Sequence, residues 1–138
     1  MIRFLMLAGF ILLFSTLYSQ QADQIIGEYK LPNQLKIKIY KVDNKFFGKI
    51  TSLDGYNNGQ IKDIKNPDEA KRNDSLLGKV IIEGLKYDNK KDEWVDGSMY
   101  GPEKGIKFNL KITEIAGNRA TVVGSKFFFW HTLTWQKL

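Results

Sequence analysis

The chain has no cysteine, a single histidine at position 131, and neither a glycine-rich phosphate loop nor calcium-loop spacing. The missing thiols exclude cysteine nucleophiles, disulfides and a lipid anchor on cysteine. With one histidine there is no His/Cys cluster for zinc or copper, so no metal and no cofactor are expected. A domain without covalent cross-links must gain its stability from burial alone. Long apolar runs are equally scarce. The one present, Phe4 to Phe14, follows Arg3 and precedes Ser15, Thr16, Leu17, Tyr18 and Ser19. That is the layout of a secretory signal peptide, and it is shorter than the roughly 20 residues that span a bilayer. Residues 1–19 are therefore expected to be a cleaved signal and 20–138 an exported domain, periplasmic or extracellular, with no permanent membrane span.

Charge of one sign is not concentrated anywhere. The 21 Lys and Arg, less Arg3, leave 20 against 15 Asp and Glu, a surplus of +5. Lysines such as Lys36, Lys38, Lys107 and Lys111 alternate with other residues along candidate strands, which reads as a solvated face rather than a nucleic-acid surface. No nucleic-acid partner is expected.

What the chain does have is alternation. Leu35, Ile37 and Ile39 alternate with Lys36, Lys38 and Tyr40. Turn residues near Asp43-Asn44 then lead into an extended Phe46 to Leu53, which makes a hairpin. Lys79 to Tyr87 and Glu93 to Tyr100 form a second pair, with a bulge or kink expected at Asp96-Gly97. Gly101 to Gly105 is a turn, and Ile106, Phe108, Leu110 and Ile112 then mark the clearest half-buried strand. Gly117-Asn118 turns it back into Arg119 to Gly124 and Trp130 to Lys137, and Ile25 to Lys30 begins the series. Eight short strands with hairpin connections and no long helix predict an all-β antiparallel barrel or sandwich. The exception is residues 63–78, DIKNPDEAKRNDSLLG. One or two helical turns are expected there, with Asn66 as N-cap and Pro67 in the first helical position, packed on the sheet through Leu76 and Leu77.

The order of these motifs resembles the bacterial domain of unknown function 2147 (DUF2147) family across nearly all of the domain. The resemblance is carried by Ile25-Ile26-Gly27-Glu28-Tyr29, Phe47-Gly48-Lys49-Ile50, the Asp63 to Gly78 segment, Trp94 to Gly105 with its Gly97, Met99, Tyr100 and Pro102, and Thr134-Trp135. It implies a single antiparallel calycin- or lipocalin-like β-barrel of about eight strands with one short helical excursion, and no known catalytic activity. Gly27-Glu28-Tyr29 would then stand where that architecture has Gly-x-Trp. The family's Gly-Arg near the end is replaced by Trp130-His131, so an arginine bracing the closed end does not carry over.

Candidate residues follow from faces and loops. Phe127, Phe129, His131, Leu133 and Trp135 would share one face of the last strand. A lone histidine there is read first as a packed core residue. As a general base it would need an orienting carboxylate, Asp63 or Asp68, and a nucleophile that nothing marks. Four aromatics in succession cannot all face inward, so Phe128 and Trp130 point out. Either the residue 66–77 excursion covers them or they form an interaction patch. Asp68 and Arg72, four apart, could pair as a loop brace. Alternatively, Asn66, Asp68 and Arg72 rim a barrel mouth whose cavity is lined by Tyr29, Trp94, Tyr100 and Trp135, with His131 beside them. The expected role is non-catalytic binding of a small amphipathic or apolar ligand in the cell envelope. The alternative is docking on an envelope protein through Phe127 to Trp130, and a hydrolase using His131 ranks last.

Overall fold

A computed structural model of the chain describes residues 21–138. The export segment read at residues 1–19 lies outside them. Eight strands follow in sequence: β1 Gly27–Lys30, β2 Lys36–Val42, β3 Lys45–Ser52, β4 Val80–Asp88, β5 Glu93–Gly101, β6 Ile106–Ala116, β7 Arg119–Lys126 and β8 Phe129–Lys137. Each pairs antiparallel with the next, and β8 returns to β1, so the sheet closes into a barrel. Closure pairs the two end strands over Tyr29–Lys137 and Lys30–Gln136, which leaves an unpaired edge only along the upper part of β8 among the described residues.

The alternation in sequence becomes alternation of environment. On β2, Ile37 and Ile39 are buried while Lys38 is exposed. On β5, Trp94 and Gly97 both face inward although they are three apart, because the register slips between them and Asp96 takes a positive φ of 61°. The bulge expected at Asp96-Gly97 is thus present. Gly97 is required there, since a Cβ would stand 2.6 Å from Leu85 Cδ2. On β6, Leu110 and Ile112 are buried but Ile106 is 42 % exposed. Burial therefore thins toward one end of the barrel.

The other end is plugged by the N-terminal segment. A 3-10 turn at Asp23–Ile25 places Ile25 in the core. Trp94 Nε1 donates to Ala22 O at 2.8 Å, Tyr29 Oη donates to Ile25 O at 2.7 Å, and Lys41 pairs with Asp23 at 3.0 Å. Lys137 of β8 lies over the Tyr29 ring at 6.0 Å and donates to Gln24 O at 2.7 Å. The cation at the closed end is therefore a lysine from the last strand.

Three local expectations are corrected. The excursion contains a single 3-10 turn at Glu69–Lys71, capped by Asp68 and not by Asn66. The reason is that the Asn66 side chain is already engaged. Its Oδ1 accepts from Asp68 N at 2.9 Å and its Nδ2 donates to Asp63 at 2.7 Å, which holds the chain in a turn before a helix can start. Leu76 is buried as expected, but Leu77 is 56 % exposed. Finally, Phe127 is not on the inward face of β8. Lys126 pairs with Phe129, so Phe127 and Phe128 form a two-residue hairpin turn, with Phe127 at φ 56°.

Candidate functional site

Antiparallel order sends the connections β1–β2, β3–β4, β5–β6 and β7–β8 to one end, opposite the plugged one. That end is open. A cavity of about 330 Å³ descends from it into the barrel, walled by Met99, Phe108, Leu110, Val122 and Leu133. Trp135, six residues along β8 from Phe129, forms its floor and meets Tyr29 edge-on at 6.2 Å. Leu31 and Pro32, Pro102 and Glu103, and Lys126 and Phe129 make the rim. The wall is almost wholly apolar, and the polar atoms sit at the lip.

The mouth continues into a seam. β8 pairs with β1 only at Tyr29–Lys137 and Lys30–Gln136, whereas it pairs with β7 from Phe129 to Gln136. Above Gln136, β8 therefore has no strand on its β1 side among the described residues. The Leu31 to Leu35 turn and the upper half of β8 face each other across the cavity opening.

The sequence-derived candidates separate into groups. Tyr100, His131 and Trp135 line the cavity. Tyr29 lies behind Trp135, and Trp94 sits at the plugged end, 5.2 Å from the Tyr87 ring. Asn66 and Asp68 border a different groove, outside β4 to β6. Arg72 lines neither. It does not pair with Asp68, because its Nε donates to Asn66 O at 2.8 Å and its guanidinium turns to Glu69 at 3.7 Å. His131 is exposed rather than packed in the core, since it sits where β8 has left the shelter of β1. Its imidazole forms no hydrogen bond or ion pair with another described residue. Phe128 and Trp130 are uncovered, at 88 % and 70 % exposed, because the excursion lies over β3 to β6 and does not reach the β7–β8 turn.

What holds the excursion is a buried polar cluster. Asp63 is fully buried and accepts from Tyr100 Oη at 2.6 Å, Asn66 Nδ2 at 2.7 Å and Lys79 Nζ at 3.2 Å. Burial alone would raise its pKa. The donors from Tyr100, Asn66 and Lys79 outweigh that and hold the carboxyl below its ordinary value. Burial, together with the Asp63 carboxylate, pushes the Tyr100 phenol up, so it stays protonated and donating. Nearby, Tyr56 Oη donates to Glu103 at 2.6 Å. Gly105, at φ 67°, lets the chain pass the Lys65 carbonyl, where a Cβ would stand 1.9 Å away. The excursion is thus a brace across one side of the open end. Its anchors Lys79, Glu103 and Tyr56 were not singled out from sequence, because a long-range ion pair or hydrogen bond leaves no periodic trace. The wall residues Leu110 and Val122 do carry such a trace, in their alternation.

Among the described residues no group of three or more His, Asp or Glu stands together as a metal site, and no helix is long and apolar enough to cross a membrane.

The solved structure of protein HP1028 from the human pathogen Helicobacter pylori, described as belonging to the lipocalin family, superposes with a TM-score of 0.73. The two chains are 20 % identical, and the match covers 83 % of each, so the likeness is one of fold. No curated protein matches the chain by sequence. Residues 27–137, from the first strand to the last, match the profile described as an uncharacterized protein conserved in bacteria, DUF2147. The chain belongs to that family, as an eight-stranded, lipocalin-like barrel.

Proposed function

We propose that the protein is a non-catalytic binding protein of the cell envelope that holds a small amphipathic or apolar molecule in the open end of its barrel. The observation that carries this reading is the cavity of about 330 Å³, apolar from Leu110 and Val122 to its Trp135 floor and polar only at the rim. Its volume falls within the roughly 300–1,000 Å³ of small-molecule sites, and barrels of eight strands have room for one small ligand. An apolar chain would enter the cavity, while a polar head would remain at the lip near Lys126, His131 and Glu103. The apolar segment after Arg3 supports export. Among the described residues His131 has no polar partner, which supports a non-catalytic role, because a general base needs an orienting group and a nucleophile within reach. Exposure of Phe127 to Trp130 also favours a contact partner for that hairpin in the envelope.

Native mass spectrometry of protein purified from its own envelope should reveal a retained small molecule. In solution, titration with a dansyl-labelled medium-chain fatty acid should saturate, with energy transfer from Trp135. Leu133→Asp places a charge on the half-exposed cavity wall and should weaken binding about tenfold or more. Equal binding by the wild type and Leu133→Asp would place the probe elsewhere and reject the cavity as the site.

A further inference from the structure

Phe127, Phe128, Phe129 and Trp130 are 87, 88, 75 and 70 % exposed, more than any other large apolar side chain described. They are consecutive, and they occupy the tip of a hairpin that runs past the end of β1. Phe127 adopts a left-handed backbone at φ 56°, a conformation a bulky residue takes at a cost and that glycine or asparagine takes easily. The fold gains little from an aromatic ring there, since the ring is 87 % exposed and, among the described residues, is approached by the neighbouring Lys126 ammonium rather than by the apolar core.

Basic charge adjoins this tip. Lys71, Lys107 and Lys126 border a groove of about 600 Å³ alongside it, against two acids, Asp68 and Glu83, while Lys79, also on the groove, is taken up by Asp63. Lys126 joins the features: it borders both the groove and the cavity rim, and its Nζ stands 5.8 Å over the Phe127 ring. Lys107 and Lys126 are both exposed, and the Lys126 ammonium reaches the Lys107 carbonyl at 3.1 Å. The amphipathic tryptophan ring prefers the headgroup layer of a bilayer and phenylalanine the acyl boundary beneath it, lysines keep their charge at the surface, and anionic lipids attract both lysines. A second copy of this chain would bring the same lysines toward one another, which opposes pairing of two tips.

We propose that the β7–β8 tip is a membrane-seating foot. It inserts Phe127, Phe128 and Trp130 into the interfacial layer of an anionic bilayer, with Lys107 and Lys126 against the headgroups. The cavity mouth, which shares Lys126 and Phe129 with the foot, is thereby presented to lipid. Seating of the foot does not depend on what the cavity holds.

The test uses vesicles of phosphatidylcholine with and without phosphatidylglycerol. It uses both the full chain and the chain from Gln20, which contains every strand of the barrel, so that residues 1–19 cannot account for a difference between variants. The wild type should co-sediment with the anionic vesicles. Phe128→Ser with Trp130→Ser should weaken partitioning about tenfold or more, and Lys107→Ser with Lys126→Ser should remove the preference for phosphatidylglycerol. These residues are exposed, so the fold should survive, as circular dichroism would verify. Trp94 and Trp135 are 1 % and 2 % exposed. A blue shift of tryptophan emission on adding vesicles therefore reports Trp130, and it should vanish in Trp130→Phe. Leu133→Asp should still bind vesicles, so loss of the cavity ligand and loss of the foot read out separately. The proposal is overturned if the aromatic double variant sediments like the wild type. It is also overturned if the blue shift appears without lipid as protein concentration rises, which would mean self-association. Loss of vesicle binding with retention of a Trp130-dependent envelope protein complex would assign the tip to a protein partner instead.

Discussion

At the scale of the residue, the chemistry with the largest consequence is Asp63, a fully buried carboxylate whose charge is held by Tyr100, Asn66 and Lys79. Its folded pKa is depressed below the unfolded value of about 4. Its contribution to stability is therefore complete above about pH 4 and is lost as pH falls through the folded value. In urea titrations, the wild type should lose stability below about pH 4 more steeply than Asp63→Asn, and parallel profiles would show that the cluster does not sense acid. At neutral pH, Asp63→Ala should cost about 3 kcal/mol, because it strands the Tyr100 hydroxyl and the Lys79 ammonium. From sequence Asp63 was readable only as a possible partner for His131. The residue that defines its role, Lys79, stands sixteen positions further along the chain, immediately before β4.

At the scale of the element, the residue 63–78 excursion is the brace its sequence suggested, held by other contacts than an Asp68–Arg72 pair, whereas the β7–β8 hairpin lacks the cover expected for it. The polar excursion is tied down, through Asp63, the Tyr56–Glu103 hydrogen bond and the close pass of Gly105 by Lys65. Gly105→Ala would combine a left-handed backbone with a clash against a carbonyl. It should cost at least about 2 kcal/mol and should speed tryptic cleavage at Lys71 and Arg72. Cleavage at the wild-type rate would mean the excursion is held without that contact. The aromatic hairpin, by contrast, stands free. Phe127→Asn should stabilise the fold by up to about 1 kcal/mol, read as a higher urea midpoint, because asparagine tolerates the left-handed turn at φ 56°. A lowered midpoint would mean Phe127 packs in solution. The strands were legible because the period of two is written in Ile37-Lys38-Ile39 and Phe108-Asn109-Leu110. The helical turn was misplaced because Asn66 has two possible hydrogen-bonding uses, and tertiary contact with Asp63 selects between them.

At the scale of the whole molecule, the barrel has one plugged and one open end, and stability should be distributed accordingly. The plugged end is closed by the 3-10 turn, Trp94 and the Lys137–Tyr29 contact, while the upper half of β8 has a partner strand on one side only. Hydrogen exchange should be slow across β2 and the lower parts of β5 and β6. It should be fast for amides of residues 129–134 that point away from β7, since these have no ladder partner. Anionic vesicles should slow exchange at 127–134 and leave the turns at 43–44 and 117–118 unchanged. Uniform protection along β8 in free protein would contradict the open seam.

The amino-acid sequence by itself determined that this would be an antiparallel all-β domain without cross-links, and which side chains of β2 and the middle of β6 would turn inward, because strand formation and facing depend on neighbours two residues apart. It also displayed, in Phe127 to Trp130, more consecutive aromatics than one strand face can bury. Only the tertiary structure decided which loops gather at the open end. It also brought Tyr100, His131 and Trp135 onto one cavity wall, left Trp94 at the other end, and freed the aromatic tip from cover. Those outcomes depend on the register at which β8 meets β1 and on a buried carboxylate meeting donors from distant strands. Such contacts join residues with no regular spacing along the chain, so they exist only once the barrel has closed.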